Sequence, residues 1–159
     1  MEKPLLFVDI DGVISLFGFP AERRPDGRFL SVEGIAHFLS AEAGPHLLAL
    51  AAHYDLVWCS GWEEKANDHL PQALGLPGSL PFLTFERRPG LRAHWKVAAI
   101  DDHAGAARPL AWVDDTLDED CEAWARERPG PTLLVRTEPH SGLTRTEAEL
   151  LVTWARRLR

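Results

Sequence analysis

Cysteine is scarce in this sequence, and the two cysteines present lie far apart. Cys59 and Cys121 fall in none of the close spacings that bind zinc. Two distant cysteines also do not form the dense framework of bridges that small secreted domains use. We therefore expect neither a disulfide-stabilised fold nor a zinc site, and we predict that both thiols pack in the core.

Long apolar runs are missing as well. No run approaches the ~18 residues that a membrane-spanning helix requires. The apolar run near the start of the chain is interrupted by Asp9 and Asp11, which also argues against a secretory signal. We expect a cytoplasmic protein with no membrane partner.

An excess of positive charge is absent too. The formal net charge is -7, which argues against broad electrostatic binding of nucleic acid. Two local basic clusters remain, formed by Arg23, Arg24 and Arg28, and by Arg87, Arg88, Arg92 and Lys96. Solvated surface is the simpler interpretation of both clusters. The alternative is that they flank a site and steer an anionic polymer towards it.

The composition and the pattern of apolar runs are those of a globular α/β protein. Of 159 residues, 45% are apolar and 26% are charged, which suits one domain spanning residues 1–159. Apolar runs typical of buried strands cover residues 5–9, 56–60, 82–85, 110–114 and 132–136. Helical patterns cover residues 45–53, 61–70, 93–103, 118–128 and 144–158. This alternation predicts a three-layer α/β/α, Rossmann-like fold with a mainly parallel five-stranded sheet.

Residues 13–44 interrupt the alternation. Glycines and prolines precede the segment RFLSVEGIAHFLS, which contains strand-forming residues around a central Glu-Gly. We predict a loop and a β-hairpin inserted after the first strand, and we call residues 13–44 the flap. The insertion is too short to form a large cap domain.

Polar residues stand at the ends of three predicted strands, and a lysine precedes the last of these strands. In chain order they are Asp9, Asp11 and Gly12, then Ser60, then Lys96, and finally Asp114 and Asp115. The carboxyl ends of neighbouring parallel strands form the ligand crevice of an open sheet. We therefore expect these side chains to lie together. Carboxylates gathered there are costly unless a cation, hydrogen bonds or chemistry compensates for their desolvation.

The carboxylates suit phosphoryl transfer with Mg2+. Asp9 and Asp114 offer the oxygen ligands that this ion prefers. With Mg2+ bound, one aspartate can attack phosphorus and form an aspartyl phosphate. A second aspartate two residues further on can protonate the leaving group and then activate water.

The remaining polar positions suit the binding of a phosphoryl group. Gly12 allows a tight turn after the first strand. The Ser60 hydroxyl and the amides of Gly61 and Trp62, predicted to open a helix, can bind phosphate oxygens. Lys96 can neutralise the charge of the nucleophile and of the phosphoryl group.

The ordered set D-x-D-G, Ser, Lys and D-D resembles the four motifs of the haloacid dehalogenase (HAD) superfamily of phosphohydrolases. The resemblance covers most of the chain. It implies that Asp9 is the nucleophile and that Asp11 is the general acid/base, with its backbone carbonyl on Mg2+. It also implies that Asp114 binds Mg2+ directly, and that Asp115 assists through a water or pairs with Lys96.

The short insertions resemble those of capless HAD phosphatases. An open site of that type suits a bulky phosphate monoester, such as the end of a nucleic acid or a phosphoprotein. The run WCSGWEEKAN is similar to a small capless branch associated with RNA repair. A phosphatase of small metabolites or nucleotides is one alternative, and a phosphate-binding HAD-fold protein without catalysis is another.

Several of these residues also have a structural interpretation. Ser60-Gly-Trp-Glu63 matches a capping box, so Ser60 could cap a helix. Asp118 is either an acid in the first turn of a helix or an additional residue of the metal shell. Trp62 and Trp95 neighbour the site residues, and core packing competes with stacking on a substrate ring as their role.

Overall fold

The central sheet contains four parallel strands. They are β1 (Leu5–Val8), β5 (Asp55–Trp58), β6 (Leu110–Asp114) and β7 (Thr132–Arg136), in the order β5-β1-β6-β7 across the sheet. The two inner strands, β1 and β6, pair in parallel along their length. Their carboxyl ends therefore meet at one edge, in the middle of the sheet.

Helices cover both faces of this sheet. The helices on one face are α1 (Ala43–Leu50), α2 (Lys65–Leu74) and α5 (Arg145–Arg157), and those on the other are α3 (Val97–Ala104) and α4 (Glu119–Glu127). Alternate residues of each strand point to opposite faces. In β1, Leu6 and Val8 join the first core, whereas Leu5 and Phe7 join the second. This arrangement confirms the predicted three-layer α/β/α class.

The predicted strand over residues 82–85 is reduced to a single bridge. Phe82 pairs in parallel with Trp58 at the edge of the sheet. The Trp58 amide donates to the Pro81 carbonyl (2.8 Å), and the Leu83 amide donates to the Trp58 carbonyl (3.0 Å). Pro81 has no N–H with which to extend a ladder towards the start of β5. The parallel sheet therefore has four strands rather than five among the described residues.

The flap contains the predicted β-hairpin, which forms a separate antiparallel sheet together with one further short strand. Its strands are β2 (Ser15–Leu16), β3 (Gly27–Val32) and β4 (Ile35–Ser40), in the order β2-β4-β3, with a short 3-10 helix at Ala21–Arg23. The turn between β3 and β4 places Glu33 and Gly34 at φ values of 51° and 82°. Two left-handed residues in a two-residue turn are typical of hairpins. On the inner side, Leu39 packs in the core.

The structure is a computed structural model that describes residues 2–86 and 94–159. Arg87, Arg88 and Arg92 of the second basic cluster lie outside the described residues, as does the first residue of the helix predicted over 93–103. Within the described ranges, every helix is too short or too polar to cross a membrane.

Candidate active site

Two aspartates stand side by side at the carboxyl edge of the sheet. Asp9 directly follows β1 and Asp114 ends β6, and the Asp9 amide continues the ladder by donating to the Val113 carbonyl (3.1 Å). Asp9 is 6% exposed and Asp114 is fully buried. The parallel pairing of β1 with β6 therefore brings two carboxylates that are 105 residues apart in sequence into one site.

Lys96 connects these two carboxylates. Its ammonium Nζ lies 3.0 Å from Asp9 Oδ1 and 2.7 Å from Asp114 Oδ2. Lys96 is the residue before α3, and only 3% of it is exposed. Burial acts to lower the pKa of Lys96, but the two carboxylates outweigh burial and raise it. Among the described residues its ion-pair partners are thus Asp9 and Asp114, and the predicted alternative of a pair with Asp115 is wrong.

Asp114 is held by neutral donors as well as by the lysine. The Trp112 indole Nε1 donates to Oδ2 (3.2 Å), and both the amide and the hydroxyl of Thr116 donate to Oδ1 (2.9 Å each). Burial favours the protonated acid, but Lys96 and the Thr116 donors outweigh it and lower the pKa of Asp114. This carboxylate is therefore ionised and fixed in orientation.

A third carboxylate completes the cluster. Oxygen atoms of Asp9, Asp114 and Asp115 lie within 4.8 Å of one another. Burial raises the pKa of Asp9 to about 8 despite the nearby lysine. Burial and the charge of Asp114 also raise the pKa of Asp115. Three ionised carboxylates and one ammonium would carry a net charge of -2, so the site favours either a proton or a cation.

This donor set fits a hard divalent cation. The three side chains offer only carboxylate oxygens, which Mg2+ prefers, and Mg2+ needs few protein ligands because it keeps waters and substrate oxygens around it. A divalent ion would also offset the net charge of -2 without protonating Asp9. Asp9, Asp114 and Asp115 are therefore the residues that would hold it.

Gly12 allows Asp115 to approach the loop that follows β1. Gly12 has a φ of 84°, which side-chain-bearing residues rarely adopt. A Cβ at this position would collide with the Asp115 carboxyl group and lie 2.8 Å from Asp115 Cβ. The Thr137 hydroxyl, just beyond β7, donates to the Gly12 carbonyl (2.8 Å). The turn predicted at Gly12 is thus also a packing requirement of the site.

Asp11 lies at the mouth of the site rather than within the carboxylate cluster. Its side chain is 55% exposed, in contrast to the buried Asp9. The Trp62 indole Nε1 donates to Asp11 Oδ2 (3.2 Å), and Nδ1 of His37 in β4 lies 3.9 Å from Oδ1. An exposed carboxyl at the entrance can reach an incoming group while the cluster stays buried.

Ser60 follows β5 but does not cap a helix. The predicted helix over 61–70 begins later, at Lys65, with Glu64 as its N-cap residue. Ser60 Oγ instead accepts the Trp62 amide (3.2 Å), and the Glu63 amide donates to the Ser60 carbonyl (3.1 Å). The amides of Gly61 and Trp62 therefore belong to a turn that precedes α2. Their contact with phosphate remains a prediction.

Asp118 has a structural role. It is the N-cap residue of α4, and its Oδ1 accepts the Cys121 amide at 3.0 Å. It is absent from the three-carboxylate cluster found among the described residues. Asp118 thus lies one position before the first turn that the sequence predicts for it, and this role at the start of α4 fits the geometry better than a place in the metal shell does.

Sequence reasoning missed four side chains that orient the site. The sequence pattern predicts no site role for Trp112, Thr116, Thr137 or His37, yet all four contact the motif residues or their loop. Thr116 carries the one available signal, because a threonine two residues after an aspartate often returns its donors to that carboxylate. Trp112 precedes Asp114 by two residues on β6, but an aromatic residue in an apolar strand predicts core packing. Thr137 and His37 act across the fold, where spacing in sequence gives no signal.

The fold and the buried lysine–aspartate cluster together define a HAD-type α/β protein. The family model described as "HAD domain in Swiss Army Knife RNA repair proteins" matches residues 5–148, and the chain belongs to this family. HAD domains constitute a phosphohydrolase-type family. The match over residues 5–148 confirms the predicted membership in the RNA-repair-associated HAD branch.

One solved structure resembles almost the whole chain. It is a hypothetical protein, XCC2798 from Xanthomonas campestris, with 15% sequence identity and a TM-score of 0.51. The match covers 98% of this chain and 85% of that protein. At this identity the likeness concerns the fold alone. No curated protein matches the chain.

Proposed function

We propose that this protein is a Mg2+-dependent phosphohydrolase that acts through an aspartyl phosphate on Asp9. The observation that carries the proposal is the buried cluster in which Lys96 joins Asp9 to Asp114, with Asp11 two residues further on at the mouth. A bound Mg2+ would supply Lewis-acid stabilisation of the charge that develops on the phosphoryl oxygens.

In the first step a carboxylate oxygen of Asp9 attacks phosphorus. The bond from phosphorus to the leaving oxygen breaks, and protonated Asp11 gives its proton to that oxygen. Lys96, 3.0 Å from Asp9 Oδ1, fixes the nucleophile and offsets the negative charge of the phosphoryl group. The products of this step are the free alcohol and phosphorylated Asp9.

In the second step Asp11, now a carboxylate, takes a proton from water. The resulting hydroxide attacks phosphorus, the bond to the Asp9 oxygen breaks, and inorganic phosphate leaves. Asp9 returns as a carboxylate and Asp11 returns protonated, so the cycle closes. The exposure of Asp11 at the mouth supports this role, because both the leaving group and water reach it from solvent.

The test is hydrolysis of p-nitrophenyl phosphate with Mg2+ and with EDTA. We expect turnover that requires Mg2+, and turnover at background for Asp9→Asn. For Asp11→Asn we expect a fall in turnover of roughly 10²- to 10⁴-fold, because hydrolysis of phosphorylated Asp9 still needs Asp11 to activate water even when the leaving group needs no proton. Asp118→Asn is the matched control. It changes another aspartate close to the site in sequence, and asparagine caps a helix as well as aspartate does, so full activity is expected.

Full metal-dependent turnover by Asp9→Asn would overturn the assignment of the nucleophile. If the wild-type protein does not hydrolyse this ester, binding of beryllium fluoride with Mg2+ is measured next. Binding that requires Asp9 would show a competent nucleophile in a selective enzyme. Absence of both turnover and binding would overturn the proposal.

For the substrate we propose a phosphate at the end of a nucleic acid, with RNA favoured by the family description. The flap is a small three-stranded sheet, and the side chain of Asp11 is more than half exposed, which suits an entrance for a large substrate. The flap arginines give less support to the prediction that a basic cluster steers an anionic polymer towards the site, because two of them are engaged within the protein. Arg24 lies over the Phe38 ring (5.8 Å to its centroid), and Arg28 donates to the Ala73 carbonyl (2.8 Å).

A further inference from the structure

Two rings surround the Asp11 carboxyl group, and they come from different elements. The Trp62 indole, in the turn after β5, donates to Asp11 Oδ2 at 3.2 Å. The His37 imidazole, on β4 of the flap, lies 4.7 Å from the Trp62 ring between centroids, with an interplanar angle of 57°. Asp11 is thus the point at which the flap and the β5–α2 turn meet.

One contact links His37 to the start of the flap, and another links the tip of the hairpin to α2. The Ser15 hydroxyl and His37 Nδ1 are 3.3 Å apart, which links β4 to the start of the flap. At the tip of the hairpin, Glu33 Oε2 lies 3.0 Å from the Lys65 ammonium at the start of α2. The packing of His37 against the indole is therefore supported by a contact further along the same strand pair.

The exposed side chain of Asp11 needs a partner that fixes its orientation, and among the described residues Trp62 and His37 are the side chains beside it. The Asp11 side chain is 55% exposed, and an exposed carboxyl samples several rotamers unless a partner selects one. A hydrogen bond to a carboxylate is stronger than one between neutral groups. The indole N–H can only donate, so in the Trp62–Asp11 hydrogen bond Oδ2 is always the acceptor.

We propose that Trp62 is a positioning residue for the general acid Asp11, and that His37 of the flap holds the indole in place. This inference rests on the proposed phosphohydrolase function. Because Oδ2 accepts the indole hydrogen, the proton of the neutral acid is placed on Oδ1. Trp62 thereby selects both the rotamer of Asp11 and the oxygen that delivers the proton to the leaving group.

The chemical consequence is a dependence on the leaving group. An ester with a poor leaving group needs a proton in the transition state, whereas p-nitrophenolate leaves readily without one. Loss of the indole hydrogen bond should therefore slow phenyl phosphate far more than p-nitrophenyl phosphate. A purely structural defect or weaker phosphate binding would slow both esters alike.

The experiment measures kcat/KM for both esters with Trp62→Phe, which keeps an aromatic ring against His37 and leaves the backbone amide intact. We expect kcat/KM for phenyl phosphate to fall by about 10-fold or more, and that for p-nitrophenyl phosphate by less than about 3-fold. His37→Ala should give a smaller change of the same kind. Asp11→Asn sets the upper limit of the effect.

Trp124→Phe is the matched control. The Trp124 indole Nε1 also donates to a carboxylate, that of Asp101 on α3 at 3.0 Å. Its ring packs edge-on against Trp112, which the phenylalanine ring can retain, and the lost hydrogen bond does not involve Asp11. The ratio of the two kcat/KM values should be unchanged in this variant. Thermal unfolding of each variant shows whether it is folded, and His37→Ala tests the same inference if Trp62→Phe is not.

The outcomes separate this inference from the function on which it rests. A wild-type protein that neither hydrolyses these esters nor binds beryllium fluoride counts against the phosphohydrolase itself. An active wild type whose ratio of kcat/KM values is unaltered by Trp62→Phe and by His37→Ala overturns only the positioning role. An equal fall for both esters also overturns it, because Trp62 would then act on substrate binding or on the fold.

Discussion

At the scale of single residues, Gly12 is the position where two requirements coincide. The left-handed backbone there would strain any other residue, and the Asp115 carboxyl group occupies the space where a Cβ would stand. Asp115 in turn belongs to the carboxylate cluster. A methyl group at Gly12 therefore acts directly on the geometry of the site.

We predict that Gly12→Ala lowers the free energy of unfolding by roughly 1–3 kcal/mol and also lowers metal-dependent turnover by more than about 10-fold. The first effect comes from backbone strain, and the second comes from displacement of Asp115. Urea denaturation and hydrolysis of p-nitrophenyl phosphate measure the two effects separately.

Gly75→Ala separates strain from displacement. Gly75 ends α2 with a φ of 76°, and a Cβ there would meet no atom within 4 Å. This variant should lose stability without losing turnover. A Gly12→Ala protein that retains full turnover would show that Asp115 is not needed where the structure has it.

The acidic and basic residues of the site could be predicted from the sequence, whereas their orientation could not. Asp9, Lys96 and Asp114 follow from strand ends and their order, and the fold brings them together as expected. Some of the side-chain donors of the site come from distant positions. Thr137, for example, bonds to Gly12 across 125 residues. Contacts of this kind depend on how loops pack, which periodicity does not encode.

At the scale of elements, a buried hydrogen bond connects the start of β5 to α5. The hydroxyl of Tyr54, the residue before β5, donates to the Leu151 carbonyl at 2.6 Å. Tyr54 is 1% exposed, and burial raises the pKa of its hydroxyl, which therefore stays protonated as a donor. This bond adds a directed link between the last helix and the edge of the sheet, beside the packing of Leu151 and Ala155 in the core.

We predict that Tyr54→Phe lowers the free energy of unfolding by about 1–2 kcal/mol, because the buried carbonyl loses one partner and keeps its place in the helix. Urea denaturation should show a lower midpoint with an unchanged slope. Turnover should be unaffected, since Tyr54 lies at the opposite end of β5 from Ser60. An unchanged midpoint would mean that the hydroxyl contributes nothing to stability.

The limits of sequence prediction at this scale lie at the element boundaries. The strands over 110–114 and 132–136 were predicted with the bounds observed, because continuous apolar runs mark buried strands. The start of α2 was placed four residues too early. Ser60-Gly-Trp-Glu63 has the composition of a cap, but Glu63 adopts a φ of 50° and its carboxylate accepts the Phe85 amide (2.8 Å). A tertiary contact has overridden a local signal there.

At the scale of the whole molecule, the charge and the shape act on substrate choice in different ways. A net charge of -7 repels a polyanion at long range. An exposed Asp11 beside a small flap nevertheless leaves the entrance open to a polymer end. We therefore expect any preference for nucleic acid to come from short-range contacts at the mouth rather than from the overall field.

We predict that kcat/KM for a short RNA carrying a terminal phosphate exceeds that for ribose 5-phosphate by about 10-fold or more. Phosphate release measures both, with a phosphoserine peptide as the comparison for a protein substrate. The same RNA without its phosphate should inhibit hydrolysis of p-nitrophenyl phosphate, because its contacts lie outside the phosphoryl site. Equal values for the sugar phosphate and the RNA, with no inhibition, would contradict the proposed substrate.

The burial of both cysteines has a practical consequence for following motions of this protein. Cys59 and Cys121 are fully buried in the core that α3 and α4 cover, and burial raises the pKa of both thiols. Only a solvated thiolate reacts with an alkylating reagent. Each labelling event in the native protein therefore reports that this layer has transiently separated from the sheet. Mass spectrometry of the two labelled thiols measures the rate of this opening without any introduced probe.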